Sequence, residues 1–229
     1  MLTPRTDQFR SWLSTPRSKL WCYGIPGAGK TVLASSIIQE VLRQSSPVIA
    51  VALFYCDYKT AATQDPKNVL GSVAKQLAVQ DEQSFEKLQT FYESKSTKNS
   101  SHVDFSLDEL RDLVLTMSSS FNDVMIIVDA LDECGTAMQV RSITRLLASL
   151  NDGRGLGICK TLFLSRDEPD IREILEDYDH NSIAASSSDL RLYVGAEVEI
   201  RTRNGDLRIE EQNLKEQIME RLVEGADGM

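Results

Sequence analysis

The apolar positions of this chain follow two rhythms. Short unbroken apolar runs, bounded by polar clusters, alternate with longer stretches in which apolar residues recur every three or four positions. The first rhythm belongs to a strand buried on both faces, the second to a helix with one buried stripe. Leu20-Trp21-Cys22-Tyr23 reads as a first strand, Val48 to Tyr55 as a second, Val124 to Val128 as a third and Thr161 to Leu164 as a fourth. Ser182 to Ala185 reads as a short fifth. Helical spacing joins Val32, Leu33, Ile37, Ile38, Val41 and Leu42, then Val69, Leu70, Val73, Leu77 and Ala78, and later Val140, Ile143, Leu146, Leu147 and Leu150. A more charged helix is expected from Glu82 to Tyr92. Ser106-Leu107-Asp108-Glu109 is a capping box, in which hydroxyl and carboxylate each satisfy a free N–H, and it predicts a helix through Leu110, Leu113, Val114 and Met117. Asp7 to Leu13 forms a short amphipathic lead. Cys56 to Pro66 reads as a loop, and the Ser/Lys/Asn-rich stretch Ser94 to Val103 as a mobile one. From Ser187 onward the texture is that of charged helix, closing with Leu214 to Val223. Strands alternating with helices predict an α/β fold with a mainly parallel sheet covered on both faces.

Between the first strand and its helix stands Gly24-Ile-Pro-Gly-Ala-Gly-Lys-Thr31, which fits the phosphate-loop pattern G-x-x-x-x-G-K-[ST] at every fixed position. Gly24, Gly27 and Gly29 let the backbone turn tightly and approach an anion. The amides of Ala28, Gly29, Lys30, Thr31 and Val32 are then expected to converge at the positive end of the new helix. Lys30 is long enough to reach the β- and γ-phosphates of a nucleoside triphosphate, and the Thr31 hydroxyl suits Mg²⁺.

Two further strands end in chemistry. The run Val124 to Val128 ends in Asp129, followed by Asp132 and Glu133. In an open parallel sheet ligands lie at the carboxyl ends of the strands. Asp129 is therefore a candidate for the metal side opposite Thr31, and Asp132 or Glu133 for orienting or deprotonating an attacking water. The run Thr161 to Leu164 ends in Ser165-Arg166. Arg166 is a candidate sensor of the γ-phosphate, because its guanidinium is always charged and matches phosphate geometry; the alternative is a surface pair with Asp167, Glu168 or Asp170.

Composition narrows the setting. The chain has 229 residues, 41% hydrophobic, with a net charge of −9. The charge argues against nucleic acid as a general partner. No apolar run is long enough to span a bilayer, and Met1 to Lys19 carries charges and prolines where a secretory signal needs an apolar stretch. The four cysteines, Cys22, Cys56, Cys134 and Cys159, are scattered without a C-x-x-C. They are expected to be reduced, structural and cytoplasmic. His102 and His180, the two histidines, form no metal pattern.

The stretches Leu20 to Ile38, Val128-Asp-Ala-Leu-Asp-Glu-Cys134 and Leu164-Ser-Arg-Asp-Glu-Pro-Asp-Ile171 together resemble the NACHT branch of the STAND nucleotide-switch proteins. The resemblance is strongest to the fungal set whose domain is also described as nephrocystin-like at its N-terminus. It implies a P-loop NTPase sandwich of three layers with a five-stranded sheet, the Ser165-Arg166 strand lying between the phosphate-loop strand and the Asp129 strand, followed by a short helical segment. Residues 1–17 would be a lead, 18–186 the NTPase domain and 187–229 the start of a truncated helical subdomain. It implies ATP or GTP with Mg²⁺ as ligands, slow hydrolysis, protein partners and self-association through the NTPase domain. Ala130 stands where many such domains carry Gly. Two other readings remain open at this point: an assembly module that has lost hydrolysis, and a small-molecule P-loop kinase using Arg191, Arg201, Arg203 or Arg208.

Overall fold

Every pairing in the sheet is parallel, and the strand order is β2-β3-β4-β1-β5. The structure is a computed structural model describing residues 7–44, 46–95, 105–151, 159–183, 187–208 and 212–225. In chain order its elements are α1 (Asp7–Ser14), β1 (Lys19–Tyr23), α2 (Lys30–Gln44), β2 (Ile49–Tyr55), α3 (Pro66–Ala78), α4 (Glu82–Lys95), α5 (Leu107–Ser118), β3 (Asp123–Asp129), α6 (Ala137–Ser149), β4 (Cys159–Ser165), α7 (Pro169–Ile174), β5 (Asp179–Ser182), α8 (Ser187–Asn204) and α9 (Gln212–Gly225), with 3₁₀ turns at Ala61–Gln64 and Leu131–Glu133. The Ser165 strand lies between the phosphate-loop strand and the Asp129 strand, as the resemblance implied.

The unbroken apolar runs are explained by a core on each side of the sheet. Successive strand side chains point to opposite faces. Trp21, Ala50, Ala52, Val124, Ile126, Val128 and Phe163 pack on one side against α3, α5, α6 and α7. Leu20, Cys22, Val51, Met125, Ile127, Leu162 and Leu164 pack on the other against Phe9 and Trp12 of α1 and Leu33, Ala34, Ile37, Ile38 and Val41 of α2. This is the three-layer α/β fold expected. The capping box forms as predicted, with Ser106 accepting from the Glu109 amide. A second one, Thr136 with Gln139, opens α6. α7, which opens on Pro169, had too few apolar positions to register as a period.

Both sheet edges are closed by side-chain amides. Gln76 of α3 and Gln80, just past the end of that helix, pair with the outer edge of β2. The Gln76 amide accepts from Leu53 N–H at 2.9 Å and donates to Leu53 O at 2.8 Å; Gln80 does the same at Val51, at 3.0 and 2.9 Å. On the opposite edge Gln8 of α1 donates to His180 O and accepts from the Asn181 side chain. An unpaired edge is a template for another strand, so Gln76 and Gln80 act as a surrogate strand along β2. Gln76→Ala combined with Gln80→Ala is expected to lose about 0.5–1.5 kcal/mol per hydrogen bond and to associate with rising concentration in light scattering. A double variant as monodisperse as the parent would contradict this.

The fifth strand departs from expectation. It was expected at Ser182 to Ala185 but runs over Asp179–Ser182. It is an edge strand whose side chains are mostly exposed, so its Asp-His-Asn-Ser sequence carries no apolar signal. Ile183, which suggested a strand, lies one residue past its end and is buried; residues 184 and 185 fall outside the described residues, as does most of the loop expected at Ser94 to Val103. The cysteines also depart. Cys56 and Cys134 face each other, with Cα atoms 5.4 Å apart across 78 residues, a separation that a disulfide spans, while Cys22 and Cys159 are buried apart from them. β2 and β3 are neighbours, and Cys56 N–H donates to Asp129 O at 3.0 Å, so the segments leaving the two strands meet. Denatured protein is expected to take up two maleimide labels before reduction and four after it. Four before reduction would contradict the pairing.

α8 and α9 pack on each other where Gly195 faces Met219, and Val198 is buried. Leu192, Tyr193, Ile200, Leu214 and Leu222 remain exposed. No helix among the described residues is long and apolar enough to cross a membrane.

Candidate nucleotide site

The parallel register carries the carboxyl ends of β1, β3 and β4 to one edge of the sheet. There a cleft of about 330 Å³ opens. Lys30, Thr31, Asp129, Asp132, Glu133 and Arg166 line it together, with Gly27, Gly29 and Val32 on the loop side. Gly24 and Ala28 lie buried beneath it. Pro26 and Ala130 complete the wall. A larger groove, about 790 Å³, runs between α4 and α5 and contains none of these residues.

The loop's glycines have two distinct reasons. A Cβ on Gly24 would sit 2.3 Å from Ile183 O, so the chain leaving β5 can press against the loop only because residue 24 lacks a side chain. Gly27 and Gly29 have φ of 81° and 84°, a region that favours glycine. The reversal between them, with Ala28 N–H donating to Ile25 O at 3.2 Å, delivers the chain into α2. The first amides of α2 then have no partner within the helix and face the cleft with the positive end of its dipole.

Lys30 curls back over this loop. Its Nζ donates to Gly24 O at 2.7 Å and Ile25 O at 2.9 Å. Burial lowers its pKa, the Asp132 carboxylate raises it again, and Arg166 adds to the lowering. An anion in the cleft would offset that strain directly.

Asp129 ends β3 with only 3% of its surface exposed. Burial raises its pKa, while hydrogen bonds from the Thr31 hydroxyl and the Ala130 amide oppose the rise. The Ala130 amide lies 3.0 Å from Oδ1. Ala130 itself has φ 57°, in the left-handed region where a side chain is strained. That explains why glycine suits this position in related domains: the chain must turn sharply here so that Asp132 and Glu133 can double back over the cleft.

Arg166 is the partner of this acidic turn. Its backbone N–H donates to Asp132 Oδ1 at 2.9 Å, and its Nε lies 3.2 Å from Asp132 Oδ2. Glu133 is 4.0 Å from its Nη2. The downstream acids are engaged elsewhere: Asp167 binds Arg172 and Asp170 binds Arg141. Two contributors were not legible in the sequence. Trp21 Nε1 donates to Ser165 Oγ at 2.8 Å, and Ser165 Oγ donates to Arg166 O at 2.7 Å, so a buried indole fixes the backbone that carries Arg166. The Cys56–Cys134 pair sets the residue after Glu133 against the segment leaving β2.

Comparison with known proteins agrees with this architecture. The profile of the family described as Nephrocystin 3, N-terminal, matches residues 3–166, more than half of the chain. Over 174 residues the chain is 29% identical to the vegetative incompatibility protein HET-E-1 of Podospora anserina; the match covers 74% of this chain and 12% of that protein. Among solved structures, the Walker-type ATPase PABY2304 of Pyrococcus abyssi aligns with a TM-score of 0.50 at 12% identity, over 92% of this chain and 60% of that one. The ADP form of Aeropyrum pernix ORC2 aligns with a TM-score of 0.47 at 14% identity, over 84% and 49% of the two chains. The chain thus spans less than two thirds of each of these relatives. At such identities the likeness to PABY2304 speaks for the fold alone. With the family match over residues 3–166, the phosphate loop at the end of β1 and the parallel α/β sheet, the chain belongs to the nephrocystin 3 N-terminal family and has the fold of the P-loop NTPases.

Proposed function

We propose that this chain is the nucleoside-triphosphate-binding core of a NACHT-type signalling switch, taking ATP or GTP with Mg²⁺ in the cytoplasm and hydrolysing it slowly. The observation that carries the reading is the meeting of Thr31, Lys30 and Asp129 in one cleft. The loop amides of Gly27 to Val32 would bind the phosphates, and Lys30 would exchange its two carbonyl partners for phosphate oxygens. Thr31 and Asp129 fit a magnesium ion: both offer hard oxygen donors, and a carboxylate buried beside a hydroxyl is a group that a cation would relieve of its desolvation cost. Bound there, the ion would neutralise phosphate charge. Glu133, the more exposed acid of its turn, is the group we assign to the attacking water, and Arg166 the one facing the γ-phosphate. We take residues 18–186 as the nucleotide domain and 187–229 as a helical segment. Self-association and protein partners are part of the switch reading. The apolar side chains left exposed on α8 and α9 are consistent with it.

Titration of the purified chain with fluorescent ATP, GTP and ADP, with Mg²⁺ and with EDTA, tests the reading. Saturable binding that tightens with Mg²⁺ is expected. Absence of binding to every nucleotide by folded protein would overturn it.

A further inference from the structure

The two acids of the turn after β3 are chemically equivalent in sequence but not in place. Asp132 has a side chain 8% exposed, with both oxygens committed to Arg166: Oδ1 to its backbone N–H and Oδ2 to its guanidinium. Glu133 is 30% exposed and touches Arg166 only at 4.0 Å. The Arg166 side chain is 48% exposed at the rim of the cleft that holds Lys30.

These two bonds differ in kind. The backbone bond ties the end of β4 to the acidic turn and does not depend on where the guanidinium points. The Nε bond is an ion pair at the rim, and it can be exchanged for another anion without unfolding anything. A triphosphate seated on Lys30 would bring such an anion, with more charge and more acceptor oxygens than a carboxylate. A diphosphate would not bring it.

We infer that Asp132 is a latch rather than a base: it holds the Arg166 guanidinium when no γ-phosphate is present and competes with the γ-phosphate for it, so that it sets the preference between triphosphate and diphosphate. This deepens the nucleotide reading above and rests on it. Asp132 is a positioning residue; it acts through Arg166. Release of the guanidinium also frees one oxygen of a carboxylate adjacent to Glu133, so the occupied state is felt by the turn that carries the proposed base.

The test compares affinities for ADP and for a non-hydrolysable ATP analogue, both with Mg²⁺. Asp132→Asn keeps an acceptor for the Arg166 backbone N–H and removes the charge that competes for the guanidinium. It is expected to raise analogue affinity relative to ADP by about 2–5-fold, the range of a rim ion pair. In the Arg166→Ala background the same substitution is expected to leave the ratio unchanged. An unchanged ratio in Asp132→Asn, an equal loss for both nucleotides, or the same shift without Arg166 would each overturn the latch while leaving nucleotide binding intact. Loss of all binding by the parent protein would overturn both. A measurement on the parent protein avoids any folding defect of the variant. The Arg166 Nε–H resonance should move on adding the analogue and not on adding ADP, while the Arg166 backbone amide keeps its position. Equal movement with ADP, or no movement with the analogue, would count against the latch.

Discussion

Lys30→Ala is expected to weaken triphosphate binding by a hundredfold or more while leaving a folded protein. The ammonium sits inside the loop, and its two hydrogen bonds, to Gly24 O and Ile25 O, are the ones a phosphate would replace. A hydrogen bond involving a charged group contributes about 1.5–3 kcal/mol. The exchange of carbonyls for phosphate oxygens keeps the number of bonds, so the loss lies in the phosphate charge left uncompensated, about 3–5 kcal/mol for a broken buried ion pair, or more than two decades of affinity at about 1.4 kcal/mol per decade. Against this, the fold loses little. Burial disfavours the lysine's charge, and Ile25, one of the two carbonyl partners, is at the surface, where water can take over. A shift in melting temperature of a few degrees is expected, about 2–4 °C per kcal/mol for a chain of this size. Isothermal calorimetry with the Mg²⁺ complex of ATP, beside a thermal melt, reads both quantities. Undiminished affinity in a folded variant would remove the basis for the phosphate-loop assignment.

Glu133→Gln is expected to reduce hydrolysis by about 10²–10⁴, the usual contribution of a positioned general base, with nucleotide affinity within a few-fold of the parent. The argument is one of availability. Asp132 has its two oxygens on Arg166, whereas Glu133 stands on the same 3₁₀ turn, more exposed and loosely held, on the cleft wall. The amide keeps the size and the hydrogen-bonding capacity of the side chain and removes only its ability to take a proton. Single-turnover phosphate release, measured with protein in excess, separates this from product dissociation, which can otherwise limit a slow enzyme. Phosphate release at the parent rate from Glu133→Gln, with the Asp132→Asn variant inactive instead, would reverse the assignment of the two acids.

Much of this site could be read from the chain because its chemistry is attached to strand ends. Gly24 to Thr31 follows β1, Asp129 closes β3 and Arg166 follows β4. An apolar run that stops at a charged residue marks the place where a buried strand leaves the core, and in a parallel sheet all such places lie on one edge. The alternation of runs and helical stripes was enough to predict a parallel sheet with two covered faces, and the capping box at Ser106 was enough to start α5, since each signal is local in sequence. β5 was expected but placed too late, at Ser182 to Ala185 rather than Asp179–Ser182, because an edge strand with exposed side chains has no need of apolar residues.

What only the tertiary structure decided concerns pairs of residues far apart along the chain. Sequence left Asp132 and Glu133 as equals. The crossing of β4 beside β3 put Arg166 against one of them, and so separated an engaged acid from an accessible one. The closing of both sheet edges by Gln8, Gln76 and Gln80 depends on which helix faces which edge, as the bond from Trp21 to Ser165 depends on the register of β1 against β4. Cys56 meets Cys134 because β2 lies next to β3, although 78 residues separate them. Local pattern determines which segments become strands and helices, since burial on one or both faces imposes a period. Partners are chosen by strand order and register, and those come from the packing of the whole chain.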